Sequence, residues 1–239
     1  FSEISNGFFD GENRLINPEA ALGIIPSGTG SDLIRSLKIP RDFRRSVEQI
    51  RQSGVRTLDL GFCRFTGNDG RIQHRYFINI ADIGLGAEVI HHLSRVPPQK
   101  RGTFTYYSGL ISCLRHLRSY RLDITTDSDP ISCSGDYIIA AVANGSVFGG
   151  GMKIATRARL DDGLFDLVTV AEMAPWQVVA NTPRLYSGHI DSHSKVATTR
   201  ARRISITSPS PCPLEMDGEA VGFLPVEFTL LPRAVRLRG

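Results

Sequence analysis

Residues 23–40 read GIIPSGTGSDLIRSLKIP. The apolar run at 21–26 ends in Pro26 and reads as a short buried strand. Ser27-Gly28-Thr29-Gly30-Ser31 is a small, flexible loop. Asp32 then opens a helix that runs to Leu37 and is stopped by Lys38-Ile39-Pro40. A loop between strand and helix aims free backbone N–H groups at a ligand, and the helix dipole favours an anion there. Gly28 and Gly30 allow close approach, and Thr29 adds a hydroxyl donor. A structural turn with Asp32 as helix N-cap accounts for the same residues. The loop is neither a Walker sequence nor a GxGxxG, so both readings stay open.

Around this unit, Phe1, Ile4, Phe8 and Phe9 recur at roughly helical spacing, with fraying at Asn6-Gly7. Phe43, Val47 and Ile50 mark an amphipathic helix ending at Ser53-Gly54. Beyond Gly54 the texture changes. Residues 56–65 alternate, with Leu58, Leu60 and Phe62 on one face. Asn68-Asp69-Gly70 is a turn, and RYFINIA at 75–81 is the returning strand of a hairpin. Strands are expected again near 120–126, 137–143, 165–170, 199–207, 213–217 and 226–231. Helices are expected near 103–118 and 176–190, with Pro183 breaking or kinking the second.

The 239 residues suffice for one large or two small domains. A hydrophobic content of 41% and a charged content of 22% are ordinary for a soluble globular chain. The formal charge of +4 suits a nucleotide or an anionic membrane surface. No basic run is interleaved with aromatics, which argues against nucleic acid as a partner. Cys63, Cys113, Cys133 and Cys212 are far apart and read as free thiols in a reducing cytoplasm. No apolar run approaches the ~18 residues of a membrane span, and no signal-peptide pattern is visible.

Three further clusters combine glycine or acid. VANGSVFGGGMKIA at 142–155 carries Gly145, Gly149, Gly150 and Gly151, which means a strained turn or a backbone pressed against something. RLDDGLFDL at 159–167 holds Asp161, Asp162 and Asp166. A hairpin turn explains it in isolation; a turn also offers the carboxylate and carbonyl oxygens that a hard cation takes. LEMDGEAVG at 214–222 is again a turn. Asp217 and Glu219 would point the same way if the chain stayed extended, and one could then accept a proton from a hydroxyl.

Taken in order, GIIPSGTGSDLIRSLKIP, RYFINIADIGLGAEV, VANGSVFGGGMKIATRARLDDGLFDLV and MDGEAVGFLPVEFTLLPRAVRL resemble the bacterial diacylglycerol kinase family, soluble lipid kinases related to sphingosine kinases and more distantly to NAD kinases. The resemblance covers nearly the whole chain. It implies an α/β plus β fold: part of an α/β nucleotide-binding domain at 1–54, then a β-sandwich domain with helices at 55–231, with residues 232–239 returning to the first. It implies that Gly28, Thr29, Gly30 and Asp32 contact ATP. It implies a structural Mg2+ on the Asp162 side chain and the carbonyls of Arg159 and Leu164. Glu219 would be the catalytic base, with Asp217 beside it in a magnesium–water network.

The implied activity is ATP-dependent phosphorylation of a lipid hydroxyl, that of diacylglycerol, giving phosphatidate. The implied setting is the cytoplasm with peripheral contact at the membrane, and the implied assembly is a homodimer. Alternatives are another acceptor (a sphingoid base, phosphatidylglycerol or NAD) or a lipid-binding or regulatory module that has lost catalysis. The helix near 103–118, with Tyr106, Tyr107, Leu110 and Leu114 closed by Arg115 and Arg118, reads as a core helix with solvated arginines. The family's Gly-Gly-Asp-Gly-Thr is expected just before Phe1, so we expect this sequence to lack an upstream part of the ATP site, and we assign the activity to the parent protein.

Overall fold

The computed structural model describes the chain except residues 1, 11, 13, 28–31, 95, 97–102 and 129–132. The first layer is α/β. It holds α1 (Ser2–Asn6), β1 (Ala21–Gly23), α2 (Asp32–Leu37) and α3 (Phe43–Gln52). Asp42 caps α3 by accepting from Arg45 N at 2.9 Å. Gly28, Thr29, Gly30 and Ser31, the centre of the phosphate-loop expectation, lie outside the described residues.

Then come β2 (Val55–Gly67), β3 (Ile72–Phe77), β4 (Ile80–Gly84), α4 (Leu85–Ser94), α5 (Thr103–Arg115), β5 (Tyr120–Thr126), β6 (Cys133–Ala143), β7 (Phe165–Ala171), α6 (Pro175–Ser187), β8 (Val196–Ala201), β9 (Arg203–Thr207), β10 (Pro213–Met216) and β11 (Glu219–Arg238). The pairings β10–β4–β6–β5–β9–β11 close on themselves through β10–β11, which makes a sandwich-like barrel. Its core is apolar. Phe77 stacks on Phe165 with ring centroids 5.7 Å apart and meets Phe228 edge-on at 5.8 Å, among Leu122, Ile124, Val142, Ile206 and Leu214.

A second core joins the two regions. Ile34 and Leu37 of α2 pack with Leu58, Leu60, Tyr76, Ile78, Val235 and Leu237. β2 and β11 are long enough to serve both cores, and their far ends reach the first layer. There β1 pairs in parallel with the end of β11, Leu22 opposite Leu237. Asn6 ties α1 to β3 through its side-chain amide, which donates to Tyr76 O and accepts from Tyr76 N, each at 2.9 Å.

The structure departs from the sequence expectations in several places. RYFINIA is two strands, β3 and β4, separated at Ile78-Asn79. The run at 199–207 is also two strands, parted at Arg202, whose N–H is held by Asp127 at 2.9 Å. Residues 85–94 form a helix that the glycine-rich LGAEV did not suggest. α6 continues past Pro183 to Ser187 and ends at Gly188, which has φ +77°.

Candidate functional site

Asp217 and Gly218 form the two-residue loop between β10 and β11, with Met216 opposite Glu219. Both have positive φ, +50° and +87°, as a tight hairpin loop requires. The turn ends the extended spacing, so the Asp217 and Glu219 carboxylates go to different partners. Asp217 Oδ1 accepts from Asn79 N at 2.9 Å and Ile80 N at 3.1 Å, and Oδ2 accepts from Ile78 N at 2.9 Å. The Asp217 N–H donates to Ile80 O at 2.9 Å. The hairpin therefore plugs the break between β3 and β4. Burial raises the Asp217 carboxyl above the ordinary carboxylate range, against the pull of those three N–H groups and of Arg75. Glu219, its side chain 46% exposed, is ion-paired with Arg75 of β3.

The break also seats the glycine-rich stretch. Asn79 O accepts from Asn144 N at 2.9 Å and Gly145 N at 2.8 Å, and Asn79 Nδ2 donates to Val147 O at 2.9 Å. A Cβ on Gly145 would stand 2.1 Å from Asn79 Oδ1, so only glycine fits there. Further on, Gly149, Gly150 and Gly151 all have positive φ, and Gly150 N donates to Asp32 Oδ2 at 2.8 Å. Asp32 Oδ1 takes Arg35 at 2.9 Å. Both readings of this stretch hold: it is a tight turn, and its backbone is pressed against α2. Asp32 thus joins α2 to the glycine loop. Ser36 Oγ, Asn79 Oδ1 and Asn144 Oδ1 are buried with no hydrogen-bond partner among the described residues. They leave unmet polar capacity where α2 faces the strand break.

Asp59, which the sequence reading passed over inside the apolar LDL, is fully buried on β2. Its Oδ1 accepts from Arg233 N at 2.8 Å and its Oδ2 from Gly163 N at 2.7 Å. Its own N–H donates to Leu160 O at 2.7 Å, and its carbonyl accepts from Asn144 Nδ2 at 2.9 Å. One residue so ties β2, β11, the acidic turn and the glycine stretch together.

In the acidic turn, Asp162 Oδ1 accepts from Leu164 N at 3.2 Å while Arg200 pairs with Oδ2. Arg159 is exposed, with Nε on Asp161 Oδ1 at 3.2 Å. Arg200 Nε lies 3.6 Å from Asp166 Oδ1, and the buried Asp166 carboxyl has no hydrogen bond among the described residues. Burial pushes Asp166 above the ordinary range, against Arg200. Among the described residues no three acidic, histidine or cysteine side chains gather to hold a metal ion. A cation here would rest on the Asp162 carboxylate and turn carbonyls, a donor set that suits a hard ion, with the buried Asp166 behind it.

Beneath the hairpin, Asp82 of β4 faces Glu215 of β10 in register, and both are buried. Glu215 Oε2 accepts from Gly218 N at 2.8 Å and so props the loop. Burial pushes the Asp82 carboxyl up to about 8, against the N–H groups of Ile83 and Gly86. Asp82 is therefore protonated in the fold at neutral pH and ionised in the unfolded chain. Its contribution is fully present below the ordinary carboxylate range and is lost as pH rises toward 8, by up to about 1.4 kcal/mol per pH unit. Asp82→Asn is expected to flatten the fall of Tm between pH 5 and 9 and to raise Tm at the alkaline end. An unchanged slope in a thermal scan across that range would remove this role.

Family models match two parts of the chain: the diacylglycerol kinase catalytic domain over residues 1–63 and the YegS C-terminal NAD kinase beta sandwich-like domain over residues 79–239. A diacylglycerol kinase of Bacillus subtilis (strain 168) is 30% identical over 240 residues, covering 99% of this chain and 73% of its own length. One from Staphylococcus carnosus (strain TM300) is 28% identical over 241 residues, covering 99% and 72%. In fold, the chain matches a crystal structure of a diacylglycerol kinase from Bacillus anthracis str. Sterne with a TM-score of 0.67 at 18% identity, covering 99% of this chain and 71% of that one. The expected α/β region followed by a β-sandwich domain with helices agrees with the structure, where the second part is a β-rich, sandwich-like barrel. By these matches the chain belongs to the bacterial diacylglycerol kinase and YegS-like lipid-kinase family.

Proposed function

We propose that this member of a family of ATP-dependent lipid kinases phosphorylates the hydroxyl of diacylglycerol, forming phosphatidate and ADP. The observation that carries the reading is the seating of the Asp217-Gly218-Glu219 hairpin on the β3–β4 break, with the glycine stretch running from that break to Asp32 of α2. A donor side and an acceptor side thus meet along one seam. Residues 1–54 with 232–239 form the nucleotide side, and residues 55–231 form the acceptor side. Asp32, with Gly28, Thr29 and Gly30 before it, contacts the nucleotide.

The acceptor hydroxyl attacks the γ-phosphorus, the bond to the β-phosphate oxygen breaks, and the hydroxyl proton passes to the Glu219 carboxylate. Arg75 orients Glu219 through their ion pair. Asp217 fixes the hairpin, and its carboxylate faces the strand break. Magnesium supplies charge neutralisation of the nucleotide phosphates when bound. A second, structural ion would be held by Asp162 with the carbonyls of Arg159 and Leu164, and would share Asp162 with Arg200.

The test is the full-length natural protein with labelled ATP, magnesium and a panel of lipids in mixed micelles. Labelled phosphatidate is expected. Label on a sphingoid base or phosphatidylglycerol would keep the chemistry and overturn the acceptor. ATP binding without label on any lipid would overturn the lipid acceptor. Failure to bind ATP would favour a module that has lost catalysis. For the ion, Asp162→Ala is expected to lower stability and activity together and to abolish the rise in Tm that magnesium gives. A magnesium-dependent rise that persists in the variant would remove Asp162 as a ligand.

A further inference from the structure

α6 is apolar on both of its faces. Val178 and Leu185 point inward and pack on the barrel's flank, and Val178 also meets the cluster of Leu85, Val89 and Leu114 formed by α4 and α5. On the outside, Trp176 is 70% exposed, Val179 57% and Tyr186 39%, and Pro183 between them is exposed too. Steps of three, four and three residues place these four on one helical face. Single exposed apolar residues are ordinary on a protein surface, but a contiguous stripe marks an interaction site. Ile111 of α5, a helix that packs in the same cluster as Val178, is 54% exposed as well.

The charge around the stripe selects its partner. α6 contains no acidic residue, and its one charged side chain is the exposed Arg184. Lys153 is exposed beside the C-terminal end of α6, where its N–H donates to Leu185 O at 2.8 Å. Lys195 is exposed at the N-terminal end, its ammonium on Glu172 O at 2.6 Å. Among the described residues the acids nearby include Glu172, Asp136 and Asp191; Asp136 is ion-paired with Arg121, and Asp191 is engaged by the Thr156 hydroxyl. A tryptophan near one end of the helix, a tyrosine near the other, apolar residues between and cations flanking make the composition of a helix that lies in the headgroup region of a bilayer. Among the described residues no helix is long and apolar enough to cross a membrane.

We propose that the outward face of α6, Trp176-Val179-Pro183-Tyr186, is the surface by which this protein lies on a bilayer containing anionic lipid. The inference rests on the lipid-kinase reading only for why the protein should meet a bilayer. Its test does not depend on that activity. Trp176 is the only tryptophan in the chain, so its fluorescence reports this face alone.

The protein is titrated with vesicles of phosphatidylcholine, with and without phosphatidylglycerol, and floated on a density gradient. Expected are a blue shift of the emission, quenching by lipids brominated in the upper acyl chain, and co-flotation, all with the phosphatidylglycerol vesicles and all weakened by salt. The double variant Val179→Asp/Arg184→Glu keeps the probe. It is expected to bind at least ~10-fold more weakly, because it puts acid against apolar and anionic surface. Its circular dichroism, Tm and activity on micellar lipid should stay those of the parent.

Unchanged emission and no flotation with anionic vesicles would overturn the proposal, and so would equal binding to both vesicle types. A blue shift that tracks protein concentration without lipid would overturn it in favour of a second copy on this face. Lipid phosphorylation without vesicle binding would sink this inference and leave the kinase reading intact. Vesicle binding through Trp176 without phosphorylation of any lipid would support the inference and sink the kinase reading.

Discussion

Glu219→Gln is expected to slow lipid phosphorylation by about 10²–10⁴-fold, the usual contribution of a positioned general base. Glutamine keeps the shape of the side chain and can still accept a hydrogen bond from Arg75, so the hairpin should keep its seat. It cannot take the hydroxyl proton. The ion pair that is lost is partly exposed, and such pairs contribute about 0–1 kcal/mol. Tm should therefore move by no more than about 4 °C. ATP affinity, measured separately, should be unchanged, since Glu219 is assigned to the acceptor side. The decisive pair of measurements is the single-turnover rate and the thermal melt of the same preparation. Near-parental turnover in a folded variant would remove Glu219 as the base. A collapse of Tm would show that the Arg75 pair is structural and that the rate loss says nothing about proton transfer.

What the sequence reveals follows from how local the causes are. The helix at 32–37 is legible to its last residue, because Ile34 and Leu37 face the core and Lys38-Ile39-Pro40 ends it. The Asn68-Asp69-Gly70 turn and the Asp217-Gly218 turn are equally local. RYFINIA reads as one strand because its apolar pattern never falters. Its break is imposed by a carboxylate 138 residues away in sequence from Asn79, and no window around the break contains that cause. α4 escapes for a different reason: it follows β4 with no loop, and Gly84 and Gly86 disguise its first turn. β11 was legible only at 226–231 because Pro225 and Pro232 look like strand ends. In the structure each falls at a register shift of the β2–β11 ladder, where a proline's missing N–H does no harm.

The same contrast divides the candidate site. Asp217 and Asp162 sit in turns and Glu219 directly follows one, where polar residues announce themselves. Asp59, Asn79 and Asn144 sit inside LDL, INI and VAN and were passed over. A signal for them existed. A lone polar residue within a buried apolar run must find hydrogen-bond partners elsewhere. Each of these three does so across the fold, and together they draw the second strand, the strand break and the glycine stretch into one seam.

Asp217→Ala is expected to cost the fold about 3 kcal/mol or more, because it strips an acceptor from three buried backbone N–H groups at about 1–3 kcal/mol each. Ile78 and Ile80 are 1% exposed and Asn79 is 8%, so water cannot readily replace the carboxylate. Alanine is also less at ease than aspartate at φ +50°. For a chain of this size the loss corresponds to a fall in Tm of at least about 6 °C. Asp217→Asn separates the two roles assigned to this residue. It keeps one acceptor oxygen, enough for the Asn79 and Ile80 N–H groups but with its amide nitrogen set against Ile78 N; it tolerates the turn, and it relieves the burial of charge that raises the carboxyl in the parent. Its Tm should therefore lie well above that of the alanine variant. Phosphoryl transfer by the asparagine variant, assayed well below its Tm, then decides what the charge does. Recovery of both Tm and activity would make Asp217 an anchor for the hairpin and nothing more. Recovery of Tm with activity still lost would place its negative charge in the chemistry, beside Glu219. An alanine variant as stable as the parent would show that the strand break holds without the hairpin, and the seam would then have to be explained by Asp59 and the two asparagines alone.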